Sequence, residues 1–444
     1  MSVGARQFVA RYRKWARRAA WTVLGLVFLA GLGRWTVCGL VSARITDIHE
    51  KRYPVTLAEL NRWYPQVAPR DNGAVLFDEA FSSFGWRSTD PDRVGRETTR
   101  MATDPLEGNQ EVLAFLQQAS NYPRYRFPID LKRLSIMPYP HLANLVRAAR
   151  LLRNDAVSHT DCDDPEPAML SVESLLALSR SLANEPLVRS HLARLDCQQI
   201  AVDSLQEFLN GSSPTPEQIT ALGEALEKVE DQHGLARAFI GQRCIGIYGF
   251  EMMERAFDPT ATPSARHYPL RQRLLLHLGA LLSSPTYLYN LCGLFQWDEL
   301  EYLRFMDRYI QTAQTSFPQR IADAITLRRS LDRETDLHSL SRAWLRGMNG
   351  PRVILKDAVT ATRLREARLA VAVERYRLNH NELPRAIDEL QSSDDATVPP
   401  DPFSGQPLHY TPLSSGYVIY SVSHDNFPDT NPSTLQEPAF IVER

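Results

Sequence analysis

The chain has 444 residues with 50 basic and 52 acidic side chains, a formal net charge of -2. That balance excludes a strongly basic nucleic-acid-binding face, and the length fits about two to three domains. Lysine occurs only at positions 14, 51, 132, 228 and 356, so arginine supplies nearly all the positive charge.

Residues 1–18 form a basic leader with Arg6, Arg11, Arg13, Lys14, Arg17 and Arg18, and no acid precedes Asp47. The long apolar run AAWTVLGLVFLAGLGRWTVCGLVSA (19–43) follows. As a helix it measures ~37 Å, enough for a bilayer core of ~30 Å. Arg34 interrupts it, however, and the uninterrupted part, 19–33, covers only ~22 Å. A span therefore requires Arg34 to snorkel to an interface. Trp21 and Trp35 suit the two aromatic belts, and the basic leader predicts an inside N-terminus. The expectation is a transmembrane signal-anchor, single-pass in the inner (cytoplasmic) membrane, with the bulk of the chain exported and periplasmic. A cleaved signal peptide ending at the small-x-small triplet Val41-Ser42-Ala43 is the alternative.

Thr56-Leu57-Ala58-Glu59 is a capping box opening a short helix, closed by Pro65 and Pro69. PRDNGAVLFDEAF (69–81) has helical spacing at Val75, Leu76, Ala80 and Phe81, with Asp71 or Asn72 as N-cap. Residues 82–107 read as a loop, and 109–119 as a helix. NYPRYRFPIDLKRLSIMPYPH (121–141) has aromatics between charges; a loop pinned by its own tyrosines is preferred to a ligand-stacking surface.

Residues 142–157, 169–185 and 186–210 carry apolar stripes at three- and four-residue spacing, with a turn at Asn184-Glu185-Pro186. Thr215-Pro216-Glu217-Gln218 starts a further helix with a cap, an N1 proline and a capping-box Gln. Successive hairpins predict a solenoid-like or irregular bundle without a fixed repeat. Helix is expected over 233–256, interrupted by Gly241, Gly246 and Gly249. Residues 271–282 read as a buried helix, and helices follow near 286–313, 318–332 and 337–347. Met348-Asn349-Gly350-Pro351 breaks the pattern, dividing a helical exported domain (44–350) from a C-terminal module (351–444). The module reads as a long helix (353–379), a short one (385–390), a strand around Leu408 and Tyr410, a turn at Ser414-Ser415-Gly416, and a covered strand over 417–422.

The stretches AVERYRLNHNELPRAIDEL (372–390), DPFSGQPLHY (401–410) and GYVIYSVSHD (416–425) resemble the C-terminal half of the type II secretion major pseudopilin. The chain is also similar to large membrane-anchored proteins of planctomycete-type bacteria, which share segments such as SRSLANEPLVRSHLARL (179–195) and PRDNGAVLFDEAF. The resemblance implies a mainly α fold: an N-terminal transmembrane helix, a helical-hairpin body and a small α+β pilin-like module. It implies no agreed activity. A pseudopilin begins with a prepilin-peptidase site directly before its hydrophobic helix; here the apolar run lies far upstream of the matching helix. An acidic loop after the last strand binds calcium in that family, which would place the metal ligands at Asp425, Asn426 and Asp429. A polar surface loop is the alternative, and calcium suits it only with more oxygens.

No HExxH, GxSxG, Walker A or GxGxxG motif occurs. HTDCDDPEP (159–167) is dense in metal-ligand types, but acids there also suit the positive end of the next helix, and that reading is preferred. The pairs Asp298/Glu299 and Glu251/Glu254 read as solvated helix faces. His141, His191, His267 and His277 are isolated and read as structural. Cys162, Cys197, Cys244 and Cys292 read as single small apolar residues. The functional expectation is a non-enzymatic membrane-anchored scaffold or interaction protein, contacting the membrane through 19–43 and a protein partner, but no nucleic acid. Alternatives are an accessory component of a secretion or pilus-like machine, and an envelope hydrolase. A compact pocket of convergent ionisable groups favours the last.

Overall fold

The helix that begins the chain is α1 (Val3–Glu50), in a computed structural model that describes residues 3–83, 108–133, 139–231, 233–256, 268–283, 285–334, 339–391, 400–421 and 439–443. It is followed by α2 (Leu57–Trp63), α3 (Ala74–Ser83), α4 (Gln110–Ser120), α5 (Pro140–Asp161), α6 (Pro165–Arg180), α7 (Val188–Gly211), α8 (Pro216–Glu227) and α9 (Gly234–Ala256). Then come α10 (Leu270–Ser283), α11 (Pro285–Leu291), α12 (Leu294–Gln314), α13 (Gln319–Glu334), α14 (Ser339–Met348), α15 (Gly350–His380) and α16 (Ile387–Gln391). The strands are β1 (His409–Leu413), β2 (Gly416–Tyr420) and β3 (Ala439–Glu443). The protein is mainly helical with a small three-stranded sheet.

Among the described residues no helix is long and apolar enough to cross a membrane. This overturns the expected transmembrane signal-anchor at 19–43, and the inner-membrane, single-pass and periplasmic placement built on it falls with it. The physical reason lies at Arg34. Its guanidinium does not snorkel outward but pairs with Glu254 at 2.6 Å and donates to the Asn290 carbonyl at 3.3 Å. Beyond it Val37, Val41 and Ile48 are buried at helical spacing, so this part of α1 packs as a structural helix. Only the ~22 Å before Arg34 is left. Trp21, Phe28, Leu29 and Trp35 are exposed on α1.

Two compact units make up the fold. The first comprises Met1–Glu59, Arg243–Asp307 and Ser330–Met348. Its aromatic core joins Phe250, Tyr302 and Trp344, with ring centroids 4.9–6.0 Å apart. The α9 glycines do not interrupt the helix; Gly246 and Gly249 are where the Tyr302 and Trp344 rings lie against its backbone, in space a Cβ would fill. Gly293 splits the helix expected over 286–313 into α11 and α12. It adopts φ +74°, a conformation that glycine reaches without strain, and its Cα faces the Arg34 backbone too closely for a side chain. The helix α10 is less buried than its composition predicts: Leu275 is 59% exposed. The Thr56 capping box forms, with Glu59 N donating to Thr56 Oγ1 at 3.1 Å and Thr56 N to Glu59 Oε2 at 3.5 Å.

The second unit comprises Leu60–Gln242, Arg308–Arg329 and Asn349–Arg444. One apolar core runs from Phe77 and Leu116 through Leu145, Leu175 and Leu205 to Leu369, Ile419 and Phe440. Helices α5, α6 and α7 pack on one another, and α15 packs on α7, α8 and the sheet. The segment after α4 is pinned as expected: Tyr125 and Phe127 are buried, and Arg126 lies over Tyr64, 4.0 Å from the ring centroid, while donating to its carbonyl at 2.7 Å. Asn72 closes the loop by donating to the Arg126 carbonyl at 2.8 Å and accepting from its N–H at 2.8 Å. The sheet is antiparallel in the order β1-β2-β3, with Ile419 opposite Tyr410 on one side and Phe440 on the other. Strand β2 is central, and its Tyr417 and Ile419 are fully buried.

Candidate functional site

The site is built on two helix faces in the second unit. On α7, His191, Arg194, Leu195 and Gln198 fall at i, i+3, i+4 and i+7, which places them on one face. On α15, Asp357, Ala361, Leu364 and Arg365 fall at i, i+4, i+7 and i+8, again on one face. Glu230 and Asp231 from the α8–α9 connection, Ser316, Phe317 and Arg320 near the start of α13, and Pro400 complete a cavity of about 290 Å³.

The charged groups in it are held in a network. Asp357 is the hub: Oδ1 accepts from His191 Nε2 at 2.9 Å and Oδ2 from Arg320 Nη1 at 3.1 Å. A carboxylate only accepts, so His191 carries its proton on Nε2. Burial pushes the Asp357 carboxyl up, but the His191 hydrogen bond and the His191, Arg320 and Arg194 charges outweigh it and leave it below its usual range. Arg194 donates to Asp231 Oδ2 at 3.2 Å and to the Val229 carbonyl at 2.7 Å. Burial pulls its guanidinium down, opposed by Asp231 and Asp357. Asp231 also accepts from Arg237 at 3.1 Å; burial raises its carboxyl, yet the charges of Arg194 and Arg237 hold it low. Arg365 donates twice to Glu230 Oε1, at 2.8 and 3.2 Å, and once to the Pro400 carbonyl at 2.5 Å, while Arg368 donates to Glu230 Oε2 at 3.0 Å.

Two features go beyond a satisfied ion-pair network. First, three guanidiniums (Arg194, Arg320 and Arg365) and His191 line the cavity with three carboxylates (Glu230, Asp231 and Asp357). Arg237 and Arg368, which are not in the lining, share Asp231 and Glu230, Arg368 also reaching Glu227 at 3.7 Å. Second, Arg194 is 3% exposed and its Nε has no hydrogen-bond partner. A buried donor left unmade costs about 1–3 kcal/mol. Leu195, Phe317, Ala361, Leu364 and Pro400 form the apolar part of the same lining. Phe317 stacks under both Arg320 and Arg365, at 4.4 and 5.7 Å from its ring centroid.

The other candidates from the sequence are placed elsewhere. Asp425, Asn426 and Asp429, the calcium positions implied by the pseudopilin resemblance, lie outside the described residues, as does His267. Among the described residues no group of three or more His, Cys, Asp or Glu side chains could hold a metal ion. In the 159–167 cluster His159 sits 3.5 Å from Asp164 and 3.8 Å from Asp155, at the surface between α5 and α6. His141 is a buried structural histidine, bonded to Glu185 at 3.1 Å, with Ser190 donating to the same carboxylate. His277 meets the Tyr287 hydroxyl at 2.7 Å. Cys197 and Cys244 are buried, but Cys162 and Cys292 are exposed. Asp298 is no solvated residue: it is fully buried and accepts from Ser341 at 3.1 Å and from the Tyr289 hydroxyl. Burial, then the charges of Glu254 and Glu251, pushes Glu299 up to about 7.

Among the described residues His191 is the one histidine that lines the cavity, and sequence spacing alone does not reveal it. The available signal is that His191, Arg194 and Gln198 interrupt the apolar stripe of α7 on one face, which a purely packing helix has no reason to do. No family model, curated protein or solved structure matches the chain.

Proposed function

We propose that the protein is a binding protein, and that its second unit captures a small anion in the cavity between α7 and α15. The observation that carries this reading is the cavity lining: the buried guanidiniums of Arg194 and Arg320 converge there with Arg365 and His191. An anionic oxygen in the cavity gains charge-assisted hydrogen bonds from these side chains, stronger than neutral ones. Asp357 and Asp231 act as positioning residues. They fix the planes of His191, Arg320 and Arg194 before any ligand arrives, so little side-chain ordering is left to oppose binding.

Thermal unfolding with acetate, phosphate and citrate tests it. At a hundredfold excess over Kd a bound anion adds about 2.7 kcal/mol, a rise of about 3–4 °C for a unit or chain of this size. The rise, measured from each protein's own baseline, should vanish in Arg320→Met and Arg194→Met. No rise with any of the three anions would contradict the proposal. The pairing of His191 with Asp357 also suits acid–base chemistry. Turnover of a bound ester, lost in His191→Gln, would establish a hydrolytic role instead.

A further inference from the structure

Building on the anion reading, we infer that the ligand is an organic acid with an apolar body rather than an inorganic ion. The cavity is two-sided. Arg194, Arg320 and His191 supply donors, each at most 6% exposed. Leu195, Phe317, Ala361, Leu364 and Pro400 line the same space with carbon. A volume of about 290 Å³ is several times the ~30 Å³ that one water occupies in the liquid, so a bare anion leaves most of it to water. A carboxylate on the guanidiniums with an alkyl or aryl body against Leu195 and Leu364 uses both halves, burying apolar surface on ligand and protein together.

Calorimetric titration of the full chain tests this with sodium phosphate, acetate, butyrate, hexanoate and phenylacetate. Affinity should climb about fourfold per methylene buried, so that hexanoate binds at least tenfold more tightly than acetate or phosphate. Ala361→Phe adds bulk to the apolar part of the lining and removes none of the cations. In that variant the climb from acetate to hexanoate, both measured on the variant, should disappear, and an unchanged thermal baseline shows that the variant is folded. Phosphate binding as tightly as hexanoate, or a climb that survives in Ala361→Phe, would overturn the inference and leave the anion reading standing. Binding of none of the five would overturn both.

Discussion

Glu366 lies on α15 with no exposed surface; Arg363 donates to its Oε2 at 3.1 Å, and Oε1 has no hydrogen-bond partner. Burial pushes its carboxyl up to about 8, against the charge and hydrogen bond of Arg363 and with a smaller push from Asp401. Because the folded value lies above the ordinary 4.5, this group's stability is fully present below about pH 4.5 and is lost as pH rises through about 8. Glu366→Gln imitates the protonated acid and should remove that loss, a difference of about 3 kcal/mol at pH 7 at 1.36 kcal/mol per pKa unit. Urea unfolding from pH 5 to 8.5 should show the wild type weakening and the variant flat by comparison. Parallel curves would contradict the assignment. Asp357 has the opposite sign: held low, it contributes stability above about 3.8 that is lost as pH falls through its folded value.

At the scale of elements, what was legible was local. The boxes at Thr56–Glu59 and Thr215–Gln218 form as their spacing predicts, the second with Gln218 N donating to Thr215 Oγ1 at 3.3 Å and Thr215 N to Gln218 Oε1 at 2.9 Å. The hairpin of β1 and β2 follows its alternation and its Gly turn. Strand β3 was not legible, because what makes AFIVE a strand is pairing with β2, and packing of Phe440 and Val442 into the core. The anchor was misread for a related reason: hydropathy sees Arg34 as an interruption but not the Glu254 that neutralises it. Glycines show the same limit. Gly241 on α9 permits the Pro186 carbonyl oxygen to lie where a Cβ would be, whereas Gly223 on α8 has the flexible tip of Arg375 at 3.2 Å and Val371 Cγ1 at 3.6 Å. Alanine in a helix gains up to about 1 kcal/mol over glycine, but forcing a methyl against fixed backbone costs about 1–3 kcal/mol. Gly241→Ala should therefore lower the melting temperature and Gly223→Ala raise it slightly. Equal shifts would show that the approach at Gly241 relaxes freely.

On the scale of the whole molecule, the second unit draws its core from residues 74–81, 112–229 and 364–442. The same long-range closure that builds the core builds the cavity. Its lining comes from α7, the α8–α9 connection, the α12–α13 region, α15 and Pro400, and no window of sequence contains two of the key cations beside their carboxylates. That is why His191 reads as an isolated histidine and Arg194 as part of a stripe until the fold sets Asp357 and Asp231 beside them. The gathering of three guanidiniums and three carboxylates around one cavity is likewise a property of the assembled unit, invisible in a net charge of -2 for the chain.

The measurement that tests the central claim most directly is a crystal structure of the full chain with 4-bromophenylacetate, located by the anomalous signal of bromine. The expected result is the carboxylate within hydrogen-bond distance of Arg194, Arg320 or His191, and the bromine against Leu195, Phe317 or Leu364. An empty cavity at saturating ligand, or bromine bound elsewhere on the protein, would contradict it.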